Sequence, residues 1–401
     1  MTARQLKVGV AGLGRAFTLM VPTLANDPRI RLVAGADPLP DGRERFAAEF
    51  GAKTYSTVED LCADPDIEVI YVATPHQHHA EHVRIATAHG KHVLVEKPMA
   101  ISIAQCRSMI EAAKAANVVL VVGHSHSFNA PILRTRAIIE SGAYGRPRMI
   151  SALNFTDFLY RPRRPEELDT ARGGGVIFSQ AAHQIDIVRL LGGGRLRSVR
   201  AVTGSWDAAR PTEGAYSALL TFEDGTVASI VYSGYAHFDS DELTGWIGET
   251  GLPKDRSRHG SARKALRDAA PGQEAAMKAA RNFGGKNYAH AAIAPAGMRQ
   301  HQHFGFMIVS CERADLRPQP DGVMIYDDTS VQLDPVPVAA IPRSEVIDEL
   351  YGAIVHGKAT LHDGPWSLAT LEACLAMLQS AREKKEIQLQ HQIGVLQGQH
   401  A

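Results

Sequence analysis

The sequence predicts an α/β protein in two parts: an N-terminal parallel sheet with helices on both faces, then an α+β domain with a mostly antiparallel sheet. Three observations lead there. The chain opens with short Val- and Ile-rich runs alternating with amphipathic stretches. Its texture changes near residue 128 to polar–apolar alternation. Its 401 residues exceed what one hydrophobic core ordinarily serves, so two domains are expected, at 1–127 and 128–401.

The apolar runs are Leu6–Val10, Ile30–Ala36, Ile67–Ala73, His92–Val95 and Val118–Val122. They lack strict polar alternation, as strands buried on both faces do. Between them lie helix-like stretches at Ala16–Leu24, Asp41–Phe50, Gln77–His89 and Ser102–Ala116. In the last, Ile103, Cys106, Ile110 and Ala113 share one face. Strand–helix–strand repetition of this kind gives a parallel sheet.

Past residue 128, a helix is expected at Pro131–Glu140, then strands at Met149–Phe155, Val199–Trp206, Ala215–Phe222 and Thr226–Tyr235. Glu223-Asp224-Gly225 between the last two is a hairpin signal. A helix fits Ser179–Leu191, closed by Gly192-Gly193-Gly194. The C-terminal region is helical again at Arg343–Val355 and Ser367–Glu386, the latter expected to pack back on the domains. Residues 248–300 carry ten Lys/Arg against four Asp/Glu without periodicity. That composition suits a solvated surface insertion, with a basic lid or subunit-contact arm as the alternative.

Charge excludes some function classes. Lys+Arg and Asp+Glu both count 43, so the formal net charge is zero, and nothing calls for a nucleic-acid or membrane partner. Cys62, Cys106, Cys311 and Cys374 have neither zinc-site nor disulfide-framework spacing and read as reduced, mostly buried thiols. No metal site is expected. The start, Met1 to Lys7, leads directly into a strand without a signal-like segment, and no apolar run has transmembrane length, so a cytoplasmic protein is expected.

The first strand is followed at once by Gly12-Leu13-Gly14-Arg15-Ala16-Phe17. The first glycine permits a tight turn, and the second lets the backbone approach a pyrophosphate. The following helix start offers unpaired N–H groups. This is a Rossmann dinucleotide fingerprint, except that Phe17 stands where Gly or Ala is usual, which should loosen the helix–strand contact. Asp37 ends the next strand, 25 residues after Gly12. A carboxylate there accepts from the ribose hydroxyls and repels a 2′-phosphate, so NAD is expected over NADP. The alternative is that Asp37 only caps the helix from Asp41.

Three polar clusters follow apolar runs: Thr74-Pro75-His76-Gln77-His78-His79 after Ile67–Ala73, Glu96-Lys97-Pro98 after His92–Val95, and Gly123-His124-Ser125-His126 after Val118–Val122. Strand C-terminal ends are where ligands bind in open α/β sheets. Thr74, Pro75, His76, His79, Glu96, Lys97 and His124 therefore join the Gly12–Phe17 turn and Asp37 as expected cofactor contacts.

With the glycine turn, Thr74-Pro75 with His79, Glu96-Lys97-Pro98 and Gly173-Gly174-Gly175…His183-Gln184-Ile185-Asp186, the chain resembles the Gfo/Idh/MocA oxidoreductase family over nearly its whole length. The resemblance implies a large open sheet in the C-terminal domain that often supports homo-oligomers. It also implies a commonly cis Lys97-Pro98 bond, and Lys97 and His183 as acid/base residues. The positive nicotinamide ring of NAD⁺ would disfavour the Lys97 ammonium, and a neutral His183 could take a hydroxyl proton. Many sugar dehydrogenases of the family have Asp four residues before that histidine; here Ser179 stands there, which weakens a polyol reading.

Tyr160-Arg161-Pro162-Arg163-Arg164 and then Arg172 precede the glycine run. Guanidinium forks match carboxylates, so a small anionic substrate is expected, held by Tyr160, Arg161, Arg163, Arg164, Arg172, Ser179, Gln180 and His183. The alternative is a solvated basic loop. The Tyr160–Arg164 run, with His303-Phe304-Gly305, Ser310-Cys311-Glu312-Arg313 and His362-Asp363-Gly364-Pro365-Trp366, resembles a branch acting on aromatic-acid cis-dihydrodiols. A sugar or cyclitol dehydrogenase and a non-catalytic nucleotide-sensing regulator are the competing expectations.

Overall fold

The computed structural model describes residues 4–288 and 296–395. Contacts divide the chain into two compact units. The first comprises 1–124, 275–293 and 339–368, and the second 125–274, 294–338 and 369–401. The sequence expectation set one boundary at 127/128; the contact division has its first boundary at 124/125 and groups two later segments with the first unit. Residues 369–401 group with the second unit, including most of the helix Gly364–Glu383.

The first unit holds a six-stranded parallel sheet: β1 (Leu6–Ala11), β2 (Ile30–Ala36), β3 (Lys53–Tyr55), β4 (Val69–Val72), β5 (His92–Val95) and β6 (Leu120–Val122), in the order β3-β2-β1-β4-β5-β6. All four residues of β4 and all three of β6 are buried, which is why these strands read as unbroken apolar runs. The strand order reverses beside β1, so the crevice at the switch point opens at the C-terminal ends of β1 and β4. The short strand β3 and the helix Val58–Ala63 escaped the sequence reading, being too short to show a period.

The second unit is built on a nine-stranded sheet. Its strands are β7 (Pro147–Phe155), β8 (Leu196–Gly204), β9 (Ala215–Phe222), β10 (Val227–Ser233), β11 (Phe306–Cys311), β12 (Ala314–Gln319), β13 (Gly322–Asp327), β14 (Val331–Pro335) and β15 (Ile387–Gln388). The order is β14-β13-β12-β11-β7-β10-β9-β8-β15, antiparallel throughout except for the β7–β10 pair. Alternate residues of β7–β10 point inward, among them Ile150, Ala152, Ala201, Ala218, Leu220, Ala228 and Ile230, all buried. The opposite face presents exposed Met149, Val202 and Leu219. Register puts Leu153, Val231 and Ser217 beside one another there, with Ser217 opposite Val202.

The helix Ala182–Leu191 is buried at every position, and a single π turn, Ile177–Ala181, leads into it. That turn replaces the helical start expected from Ser179. The three described buried thiols are Cys62, Cys106 and Cys374, with Cys311 half-buried. Burial lifts the Cys62 and Cys106 thiols to about 12. Among the described residues, no helix is long and apolar enough to cross a membrane, and no three His, Cys, Asp or Glu side chains form a metal-binding group.

The insertion is not merely solvated. Its part 275–288 belongs to the first unit, where Phe283 is buried among aromatic rings. Ring centroids lie 5.0 Å away for Phe17, 6.2 Å for Phe46, 6.0 Å for Phe50 and 5.0 Å for Tyr288. Residues 289–295 lie outside the described residues.

Candidate active site

In the first unit, β1 ends in Gly12 at φ +92°, where an added Cβ would lie 2.9 Å from the Ala73 carbonyl oxygen. Any side chain there meets both strain and a clash with the end of β4. An added Cβ at Gly14 would meet nothing within 4 Å, so the backbone there is open to a ligand. Gly14 begins the helix Arg15–Leu24, which has no side-chain cap and no acidic residue in its first turn. Such a helix start suits the pyrophosphate of NAD. Asp37 Oδ2 accepts from the Leu13 N–H at 2.9 Å, and Oδ1 from the Leu39 N–H at 2.9 Å. Its carboxylate is thereby fixed against the glycine turn. Arg43 donates to the Asp37 and Pro38 carbonyls. Phe17, the departure from the fingerprint, is wholly buried and fills the space with the aromatic cluster of Phe46 and Phe283.

The strand-end clusters are braced to one another. The His79 ring is buried, with Nδ1 2.9 Å from the Pro98 carbonyl and Nε2 2.9 Å from the Thr74 carbonyl. Burial pushes its pKa down to about 4, against the two carbonyls, which favour protonation. Glu96 is buried too; it accepts from the Tyr71 hydroxyl at 2.6 Å and from the His124 N–H. Burial raises its pKa, while Tyr71, Lys97, Arg343 and the His124 N–H oppose that rise. His79 and Glu96 therefore point into the unit and tie the Thr74, Lys97-Pro98 and His124 turns to one another. Both Lys97-Pro98 and Gly123-His124 are cis. Thr74 Oγ1 lies 2.9 Å from His82 Nδ1. Pro75 precedes the short turn His76–His78.

In the second unit, His183 enters in the first turn of Ala182–Leu191 and is buried. The glycine run before it is demanded by packing. Gly175 has φ +79°, and an added Cβ would lie 2.0 Å from Glu213 Oε1. Ser179 Oγ donates to the Gly175 carbonyl at 2.5 Å, and Gln180 is buried. The arginines part company. Arg163 stacks 3.6 Å over the Phe158 ring, donates to the Phe158 carbonyl at 2.7 Å and keeps only 12% of its side chain exposed. Its buried Nε has no hydrogen-bond partner, and burial pulls its pKa down to about 10. Arg161 pairs with Asp157 at 3.1 Å. Arg164 is held by Glu166 and Glu167 of its own loop, and Arg172 is exposed. Tyr160 lies under Arg263, 4.0 Å from the ring centre.

Three residues were not assigned a role from sequence. His126 packs edge-on against His183 with ring centroids 4.7 Å apart, and Phe304 touches both, at 5.2 Å and 5.1 Å. Glu249 reaches His126 Nε2 at 3.3 Å. The strand-end run containing His126 was a visible signal; nothing local marks Glu249.

Residues 6–124 match the model of a family described as "Oxidoreductase family, NAD-binding Rossmann fold", and residues 132–252 match the GFO/IDH/MocA C-terminal domain. The chain belongs to the GFO/IDH/MocA oxidoreductase family. As a family member it is an NAD-dependent oxidoreductase. A Comamonas testosteroni relative, named 1-carboxy-3-chloro-3,4-dihydroxycyclo hexa-1,5-diene dehydrogenase, is 46% identical over 379 residues, 94% of this chain and 95% of that protein. A Thermotoga maritima myo-inositol 2-dehydrogenase is 28% identical over 48% of this chain and 57% of its own. A crystal structure of a Bordetella bronchiseptica RB50 protein superposes with a TM-score of 0.90 and 42% identity, covering 96% of this chain and 100% of that one.

Proposed function

We propose that this GFO/IDH/MocA member oxidises a carboxylated cis-dihydrodiol, of the phthalate 4,5-cis-dihydrodiol type, to a catechol. The observation that carries it is the 46% identity, over nearly both chains, to a dehydrogenase whose name specifies a carboxyl group and a vicinal diol on a cyclohexadiene ring. Arg163 supports the anionic substrate: a mostly buried guanidinium with an unmatched Nε suits a carboxylate, with Arg161 nearby along the chain.

The Gly12–Phe17 turn and Asp37 would hold NAD⁺, which would supply the hydride acceptor for one carbinol carbon. The hydroxyl proton of that carbon goes to a side-chain base, for which Lys97 and His183 are the candidates. The hydroxy-ketone then tautomerises to the catechol, and aromatisation draws the reaction forward. The carboxylate-binding arginines orient the ring so that one carbon presents its hydrogen to the nicotinamide. The sheet face bearing Met149, Val202 and Leu219 would pack on a second copy of the chain, giving a homo-oligomer.

The test is NADH formation by the purified protein with diols that do or do not carry ring carboxylates, with inositol and glucose alongside. Turnover of the carboxylated dihydrodiol is expected. Activity confined to the neutral polyols would overturn the reading in favour of a sugar or cyclitol dehydrogenase. An Arg163→Ala variant should raise KM for the carboxylated substrate, with no such rise for a neutral diol.

A further inference from the structure

In the first unit, the turn after Asp37 has little of its own to hold it. Pro38 and Pro40 carry no N–H, and the helix Pro40–Phe50 starts at Leu39 without a side-chain cap. What lies against this turn is the insertion, at residues 279–288. Gly284 has φ +78°, and an added Cβ would lie 3.0 Å from both the Asp41 carbonyl oxygen and the Gly42 Cα. Gly42 is buried; an added Cβ there would lie 3.5 Å from Leu13 Cβ and 3.9 Å from the Phe283 carbonyl oxygen. The glycine turn and the insertion therefore close on Gly42 together.

Phe283 carries the contact inward. Its ring meets Phe17 of the helix Arg15–Leu24, and Phe46 and Phe50 of Pro40–Phe50. Phe46 in turn covers Gly35 of β2, where an added Cβ would lie 3.1 Å from the ring. Gly35 stands two residues before Asp37. The first helix, the second helix and the strand leading to Asp37 thus share a core in which the insertion is the remaining wall. The segment is itself fixed. The Asn287 N–H donates to the Ala280 carbonyl at 2.8 Å and the Gly285 N–H to the Asn282 carbonyl at 2.9 Å. An added Cβ at Gly285 would lie 2.6 Å from the Ala280 carbonyl oxygen. Further along, the Arg45 guanidinium lies over the Tyr288 ring, 5.5 Å from its centre.

We propose that Phe283 and Gly284 of the insertion are positioning residues for the cofactor: they hold the turn after Asp37 against the glycine turn, and so set the Asp37 carboxylate for an adenosine ribose. This rests on the reading that Asp37 and the glycine turn hold NAD. The carboxylate spans the two parts that the insertion clamps, accepting from the Leu13 N–H on one side and the Leu39 N–H on the other. If the turn loosens, binding must also order it, and affinity falls. A carboxylate held in place meets a 2′-phosphate as a fixed like charge, whereas one on a loose turn can swing away. The preference for NAD over NADP therefore depends on a segment remote in sequence from the glycine turn.

Isothermal titration of the full-length protein with NAD⁺, NADP⁺ and ADP-ribose tests this. Gly284→Ala presses one methyl group on the Asp41 carbonyl and leaves the aromatic rings in place. It should weaken NAD⁺ and ADP-ribose about fivefold and NADP⁺ less, so that the two dinucleotide affinities draw together. Phe283→Ala should act in the same direction, and Phe283→Leu should restore part of the loss. In an Asp37→Ala background, Gly284→Ala should change NAD⁺ affinity by less than about twofold, because the segment acts through that carboxylate. Met109→Ala, on the buried face of the helix Ile103–Ala115, opens a cavity elsewhere in the same unit and should leave the affinity ratio unchanged. An unchanged NAD⁺ to NADP⁺ ratio in Gly284→Ala overturns the proposal. So does an equal shift in Met109→Ala, or an undiminished Gly284→Ala loss in the Asp37→Ala background. An Asp37→Ala variant that binds NAD⁺ as the wild type does would instead overturn the placing of the cofactor, and the proposal with it.

Discussion

The two sheets solve the same burial problem in different ways. The parallel sheet of the first unit hides its central strands on both faces: every residue of Val69–Val72 is buried. The nine-stranded sheet hides one face and leaves Met149, Val202 and Leu219 exposed on the other. A doubly covered sheet can offer function only at its strand ends, so the polar clusters of the first unit all sit there. A singly covered sheet has a whole face to offer a second copy of itself, while the second unit's candidate chemistry lies in its turns and the start of a helix.

The largest effect that would break this contrast concerns where the chemistry sits. Lys97→Ala, at a strand end of the first unit, should lower kcat for the dihydrodiol by about 10²- to 10⁴-fold, as measured by NADH formation. A change of less than threefold, roughly, would remove Lys97 from the reaction.

Phe283→Ala should remove about 3–5 kcal/mol from the first unit, since the ring is buried among four other aromatic rings. Native-state hydrogen exchange should show protection falling in the helix Arg15–Leu24 more than in β8–β10. Equal losses in both would mean that the contact belongs to neither unit in particular.

The brace at His79 makes a pH prediction. Its folded pKa of about 4 lies below the ordinary value of 6.5, so the unfolded chain binds more protons between these values. The stability associated with neutral His79 is complete above the unfolded pKa and is lost as pH falls towards the folded one. That loss should reach about 3 kcal/mol. Urea unfolding of wild type and His79→Asn across this range should show the steeper decline in the wild type; parallel slopes would mean that His79 is not the group titrating.

Asp37→Ala should weaken NAD binding about tenfold and narrow the preference over NADP, because the charged acceptor at the glycine turn is gone. Isothermal titration with both cofactors decides this, and an unchanged affinity ratio would count against the ribose role. The smallest effect on folding should come from the open sheet face. Leu219→Glu should change stability by no more than about 0.5 kcal/mol, yet shift sedimentation towards monomer. An unchanged sedimentation profile would remove this face as the subunit contact.

Legibility followed the same divide. The strands β1, β2, β4 and β5 were readable because burial on both faces leaves an unbroken apolar run. The β9–β10 hairpin was readable from its turn, with register pairing Val227 to Thr221 around Gly225. The strands β11–β14 were missed; β14, for instance, exposes Val331, Gln332 and Leu333, so it has little alternation to betray it. In the candidate site, Lys97 and His183 were named from sequence. Arg161, Arg163, Arg164 and Arg172 looked alike there, yet only folding separates a guanidinium stacked on Phe158 from one paired within its loop or left exposed.

The sequence by itself determined the family, the Rossmann class, the glycine turn with Asp37 and the Lys97 and His183 positions, because each depends on neighbours within a few residues or on a short spacing. Tertiary structure alone decided that Phe17 packs on Phe283, that His79 meets the Pro98 and Thr74 carbonyls and Glu96 the Tyr71 hydroxyl, and that Glu249 meets His126 beside His183. Those partners are separated by 266 positions for the first pair, counting from 17 to 283, and by 123 for His126 and Glu249. No local pattern encodes such encounters: they arise when buried rings and charges must each find a partner in the folded core.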